Sequence, residues 1–181
     1  MILMLIYSRS YSDDGSMTLA LAKSFIDSKG SYNHELSIAY FLDWLFDGRF
    51  STTSKSWDVG SSTGRSLSMW RECLRRKDVE DGQKRVDEAL NRDQFSGNGS
   101  LMRISPVGLI LHKNMNQAMD IANQQGRITH PAQACVDSTV LYTELMCRTI
   151  HGMHLYQCPF FFFSSVQFCP HTWASVDIRT R

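Results

Sequence analysis

The residues with the most chemistry to offer are three acids and a glycine-flanked asparagine. Ser12, Asp13 and Asp14 stand consecutively ahead of an apolar-striped segment. Two adjacent carboxylates beside a hydroxyl present hard oxygen donors, the kind that Mg²⁺, Mn²⁺ or Ca²⁺ takes. At a helix entry neighbouring side chains need not diverge as they do on a strand, so both can serve one ion or a pair. Taken alone, the triplet reads first as an N-cap, because Ser and Asp are favoured there. Asp58 sits among small neighbours in Trp57-Asp-Val-Gly-Ser-Ser-Thr-Gly-Arg. A loop carboxylate can act as a base or orient water, although turn formation is its plainer role.

A second group follows in Phe95-Ser-Gly-Asn-Gly-Ser-Leu-Met-Arg. Gly97 and Gly99 let backbone amides approach an anion or a sugar, and Asn98 adds a donor and an acceptor. Arg103 can clamp a phosphate or hold a carboxylate. The same residues also read as an ordinary turn before a helix opened by Pro106 at its first position. His130 precedes Pro131, which biases it to an extended backbone. It can donate to a phosphate or ribose oxygen; considered alone it reads as a solvated histidine. The five cysteines, at 73, 135, 147, 158 and 169, form no Cys-x-x-Cys pair and read as core thiols. Met102, Met115, Met119 and Met146 read as core.

Helices must position these groups. Met17, Leu21 and Phe25 recur at i, i+4 and i+8, predicting an amphipathic helix over 15–28 that Gly30 ends. A second is predicted over 34–46, stopped by Gly48, and others over 66–76, 106–112, 114–124 and 132–151. The Ser/Thr/Gly-rich stretch 50–64 reads as loop, and the charged stretch 78–94 as a solvated helix face or exposed connection. No segment alternates as a strand does, so the expected class is all-α.

Composition bounds the rest. The chain has 181 residues, 43% hydrophobic and 20% charged, with a net charge of +1. That suits one folded domain and excludes a disordered or disulfide-scaffold protein. The balanced charge gives no footprint for nucleic acid or an anionic membrane. Met1–Ile6 is apolar but too short for a signal peptide. Residues 155–176 lack charge, yet two prolines, two glutamines and a histidine interrupt them as a membrane span. Phe160–Phe163 has no periodicity. An intracellular, cytoplasmic protein is expected, with an atypical segment 1–10, a domain over 11–152 and an atypical tail over 153–181.

The order of the motifs carries more than any one of them. Ser-Asp-Asp-Gly-Ser-Met before an Ala/Leu helix, Asp-Val-Gly-Ser-Ser-Thr, Gly-Asn-Gly-Ser-Leu-Met-Arg and Thr-His-Pro follow one another over residues 11–152. This series resembles the ADP-ribosylglycohydrolase family. The resemblance implies an all-α fold with a dinuclear Mg²⁺ or Mn²⁺ centre at a cleft, and hydrolysis of the glycosidic bond between ADP-ribose and a protein side chain or related acceptor. By resemblance, Ser12, Asp13 and Asp14 are metal ligands, and Asp58, with Asp14, is catalytic. Gly60, Gly97, Asn98, Gly99 and His130 are implied to bind substrate, while Arg103 and Pro106 match structural positions.

The chain departs from the family's pattern in two places. A Gly-Asp-Ala-Leu-Gly-type helix is not found ahead of the triplet, and no Asp-x-Asp-Thr motif follows Gly152, where Asp177 is isolated. An incomplete dinuclear centre and weak hydrolase activity are therefore expected. The alternative is an ADP-ribose-binding remnant without turnover, or a non-functional truncated product. The stripe 17–21–25 and the helix over 132–151 are expected to show exposed apolar faces.

Overall fold

A computed structural model describes residues 10–152. Seven α-helices run through them: α1 (Asp13–Asp27), α2 (His34–Asp47), α3 (Ser61–Arg76), α4 (Val79–Leu90), α5 (Ser105–Leu111), α6 (Met115–Arg127) and α7 (Gln133–Ile150). A short 3₁₀ turn over Asp93–Phe95 follows α4. No strand occurs among the described residues, and none of their helices is long and apolar enough to cross a membrane. The expected all-α class is observed. Met1–Ile6, Phe160–Phe163, Cys158, Cys169 and Asp177 lie outside the described residues.

Local sequence sets the helix ends. Asn33 Oδ1 accepts the Leu36 amide at 2.9 Å, Asp78 Oδ1 the Asp81 amide at 3.0 Å, and Asn114 Oδ1 the Gln117 amide at 3.2 Å. Each satisfies a first-turn N–H that has no partner inside the helix. Gly48 closes α2 in the left-handed region at φ 69°, where a side chain would also collide with the Ser54 carbonyl.

Sequential helices pack on one another, most closely α6 on α7, α3 on α4 and α1 on α2, while α5 bridges α1, α6 and α7. The shared core holds Met17, Leu21 and Phe25 of α1, Phe41 and Trp44 of α2, and Leu67 and Trp70 of α3. Each such side chain contributes roughly 1.5–3 kcal/mol by leaving water. Met17, Leu21 and Phe25 are fully buried, which corrects the expectation of an exposed stripe. Elsewhere on α1 and α7, Leu19, Ile26, Tyr142 and Ile150 are exposed.

Three boundaries differ from the sequence reading. α3 begins at Ser61, five residues ahead of its expected start at Ser66. The hydroxyls that suggest a loop are instead fastened, with Ser62 donating to the Phe95 carbonyl at 3.1 Å and Thr63 buried. α4 has the expected solvated face, with Glu80, Lys84 and Glu88 exposed, but also a buried one: Val86 and Leu90 are buried, and Gly82 lets the Trp70 ring press on the helix. α5 starts at Ser105, so Pro106 is its second residue. Cys73, Cys135 and Cys147 are buried free thiols, as the core reading expects.

Candidate functional site

The Ser12 hydroxyl caps α1, accepting the Asp14 amide at 3.4 Å and donating to the Asp14 carboxylate at 3.1 Å. Asp13 and Asp14 thus fall in the first helical turn, where the helix dipole favours negative charge. Asp13 also accepts the Asp14 amide at 3.1 Å. Its carboxyl is held above the ordinary carboxylate range, first by burial, then by the charges of Asp14 and Asp58. The structure therefore brings Asp58 into electrostatic range of the triplet although 44 residues of sequence separate it from Asp14. Asp58 is exposed and takes a left-handed backbone, φ 58°, which Asp tolerates better than most residues. Gly60 follows as the N-cap of α3.

The glycine turn lies against Thr63, in the first turn of α3. Asn98 begins a run of turns in which its carbonyl accepts the Met102 amide at 2.9 Å. Gly97 and Asn98 are exposed and Gly99 is buried. The His130 ring sits directly against this turn: a Cβ at Gly97 would be 3.5 Å from Nε2, and one at Gly99 only 2.5 Å from Cε1. Thr63 of α3 closes the group, its hydroxyl 3.0 Å from the same Gly99 position. His130 is 4% exposed, correcting its reading as a solvated histidine. It is buried because the 128–130 segment is clamped, with the Ile128 carbonyl accepting both the Ser66 hydroxyl and, at 2.9 Å, the Trp70 indole N–H.

Arg103 ties the two halves together. Its fully buried guanidinium donates to the Gly99 carbonyl at 2.7 Å, to Thr129 Oγ1 at 2.8 Å, and to Gln125 Oε1 and the Gln125 carbonyl, each at 2.9 Å. It stacks on Phe41 at 4.6 Å, and Met17 Sδ of α1 lies 4.0 Å from Nη1. Burial pushes its pKa down to about 9, still above neutrality, so it remains a cation. Thr18, one turn beyond Asp14, donates to the Asp14 carbonyl at 2.7 Å and makes a longer 3.4 Å contact to the Met102 carbonyl. The first turns of α1 are thereby seated against the segment that carries Gly97–Gly99.

Arg103 is thus structural, as the resemblance implies, and does not clamp a ligand. Thr63, Thr129, Gln125 and Cys135, whose thiol donates to the Gly97 carbonyl at 3.5 Å, are supports the sequence reading passed over. Only the placement of Thr129 beside His130 gave a signal. A separate surface cavity of about 350 Å³, lined by His34, Gln83, Asn123, Gln124 and Arg127, includes none of the candidate residues.

Hard oxygen donors at the triplet suit a divalent cation. Mg²⁺ in particular is commonly held by one or two carboxylates and keeps several waters. The mutual repulsion of Asp13, Asp14 and Asp58 is what such an ion would relieve. Among the described residues, no group of three or more His, Cys, Asp or Glu side chains is placed to hold a metal ion.

An all-helical fold that sets an acidic helix start beside a glycine turn and a buried histidine defines the class. The ADP-ribosylglycohydrolase family model matches residues 4–161, and the chain belongs to that family. It is 27% identical over 143 residues to the uncharacterized protein YegU of Escherichia coli (strain K12), covering 78% of this chain and 38% of that protein. It is 22% identical over 142 residues to the ADP-ribosylarginine hydrolase Tri1 of Serratia proteamaculans (strain 568), covering 78% of this chain and 36% of that one. The chain spans little more than a third of the length of the curated relatives it matches.

Proposed function

We propose that residues 11–152 bind ADP-ribose and act in the divalent-metal-dependent hydrolysis of the bond joining it to a protein side chain or related acceptor. The observation that supports this best is that Asp58, just ahead of α3, lies within electrostatic range of Asp13 at the start of α1, with Gly97–Gly99 and His130 held against Thr63 of α3. Membership of the family, and the hydrolase named among its relatives, point the same way.

In this reading Ser12, Asp13 and Asp14 hold Mg²⁺ or Mn²⁺, which when bound orients ribose hydroxyls and lowers the pKa of an attacking water. Asp58, exposed at the mouth of the group, orients the substrate or takes a proton from water, with Asp14 beside it. Gly60 lets the ribose approach the backbone. Gly97 and Gly99 keep side chains out of the space beside the imidazole, and Asn98 and His130 hydrogen-bond the ligand. The partners are ADP-ribose and ADP-ribosylated protein, and the compartment is intracellular.

Release of ADP-ribose from a modified peptide with Mg²⁺ present tests the reaction. Turnover that Asp13→Asn abolishes supports hydrolysis. A titration with free ADP-ribose that gives binding without turnover favours the second reading, a non-catalytic ADP-ribose-binding module. The observation behind that second reading is that no group of three or more potential metal-ligating side chains comes together among the described residues. Absence of both signals overturns both readings.

A further inference from the structure

We propose that Arg103 sets the tautomer of His130 through the Thr129 hydroxyl, so that the imidazole presents Nε2–H at the Gly97–Gly99 turn as a fixed donor to an acceptor oxygen of the ligand. The ligand half of this statement rests on the function proposed above; the tautomer half does not.

The direction of each hydrogen bond follows from what the groups can do. A guanidinium has five N–H donors and no acceptor. Arg103 Nη1 therefore donates to Thr129 Oγ1, 2.8 Å away. Thr129 is fully buried, so no solvent competes for its hydroxyl hydrogen. The described residues give that hydrogen one acceptor, His130 Nδ1 at 2.9 Å. A buried hydroxyl left without an acceptor is costly, so the hydrogen goes to the ring. With Nδ1 accepting, the proton of the neutral imidazole lies on Nε2.

The far end of the ring is open. Nε2 has no hydrogen-bond partner among the described residues, yet it is not one of their sealed buried polar atoms. It is the ring nitrogen nearest Gly97, 3.5 Å from where a Cβ would stand. Burial, and then the charge of Arg103, pushes the imidazole pKa down to about 4, so near neutrality the ring stays uncharged. Arg103 acts only through Thr129 and is a positioning residue. His130 in this state donates one proton in a hydrogen bond and does not act as an acid or a base.

Imidazole ¹H–¹⁵N correlation spectra of the full chain, free of ligand, test the relay, with the His130 signals assigned by their loss in His130→Gln. The expected pattern is a protonated Nε2 and an unprotonated Nδ1. Thr129→Val should abolish that single pattern and weaken free ADP-ribose binding roughly tenfold or more, whereas Thr129→Ser should keep both. A protonated Nδ1 in the unaltered chain overturns the proposal, as does a Thr129→Val protein with an unchanged pattern. If Thr129→Val does not fold, the spectrum of the unaltered chain alone decides. A chain with the expected tautomer that binds no ADP-ribose overturns the ligand half and the functional reading together, and leaves the relay standing.

Discussion

A methyl group on Gly99 would stand 2.5 Å from Cε1 of His130, a separation that no packed side chain tolerates. The neighbouring Thr63 hydroxyl, 3.0 Å away, leaves no sideways escape. Gly99→Ala should therefore displace the imidazole, destabilise the fold by about 1–3 kcal/mol, and remove the heat of ADP-ribose binding. Gly97→Ala, with its nearest contact at 3.5 Å, should leave the melting temperature nearly unchanged. Calorimetric melts and titrations of the two variants compare the positions directly.

The buried imidazole makes stability depend on pH. His130 is held down to about 4, by burial first and by Arg103 second, against an ordinary value of 6.5. Between those values the unfolded chain binds more protons than the folded one. The contribution is thus complete above the unfolded pKa and is lost as pH falls through this window, by at most about 3 kcal/mol. His34, also lowered by burial, acts in the same sense. Urea midpoints at acidic and neutral pH should differ less in His130→Gln than in the parent, and equal differences would count against this environment.

Asp13 works in the opposite direction. Its carboxyl is held above 3.8 by burial and by its acidic neighbours, so the folded chain keeps its proton longer. Stability is full below the unfolded pKa and decreases as pH rises through the folded value. Metal-free Asp13→Asn should consequently be slightly more stable than the parent at neutral pH. On the proposed function, Mg²⁺ should shift the melt of the parent upward, and the same change should remove that shift. Thermal scans with Mg²⁺ and with a chelator check both signs.

Arg103→Met keeps much of the volume but leaves the Gly99 carbonyl and Gln125 Oε1 without their donor, and leaves the Gln125 carbonyl with the Ile128 amide alone. A buried acceptor left unpaired typically costs about 1–3 kcal/mol, so the variant should be clearly less stable than the parent. Arg103→Lys should not recover the lost stability, because a point charge cannot reach all these acceptors at once. Equilibrium unfolding in urea measures each loss.

On α4, Gly82→Ala should destabilise although alanine is the better helix former by roughly 1 kcal/mol. Its Cβ would be 2.3 Å from Cζ3 of the fully buried Trp70. An increase in melting temperature would contradict that packing.

The helices were legible wherever a stripe met a stop signal. Met17, Leu21 and Phe25 mark the buried side of α1, and Gly48 marks the end of α2. Composition misled where polar residues are bound inside. Ser62 and Thr63 look like loop residues, yet Ser62 donates to the Phe95 carbonyl from distant sequence and Thr63 is buried. The charged stretch of α4 hid its contact with Trp70, since only the absence of a side chain at Gly82 permits it. At the site, the acidic pair could be read from adjacency alone. The burial of His130 could not, because it depends on α3 grasping the carbonyl two residues earlier.

That grasp has an optical side. The Trp70 indole N–H is bonded to the carbonyl of Ile128, immediately before Thr129, while the ring itself is sheltered from water by the core. Indole emission responds to the polarity and hydrogen bonding around the ring, and here the bonded partner is the strand of backbone that ends in the histidine. Any event that tugs His130 toward the glycine turn is passed through two peptide units to a fluorophore. The protein thus carries its own dye, bonded to the backbone that leads into His130.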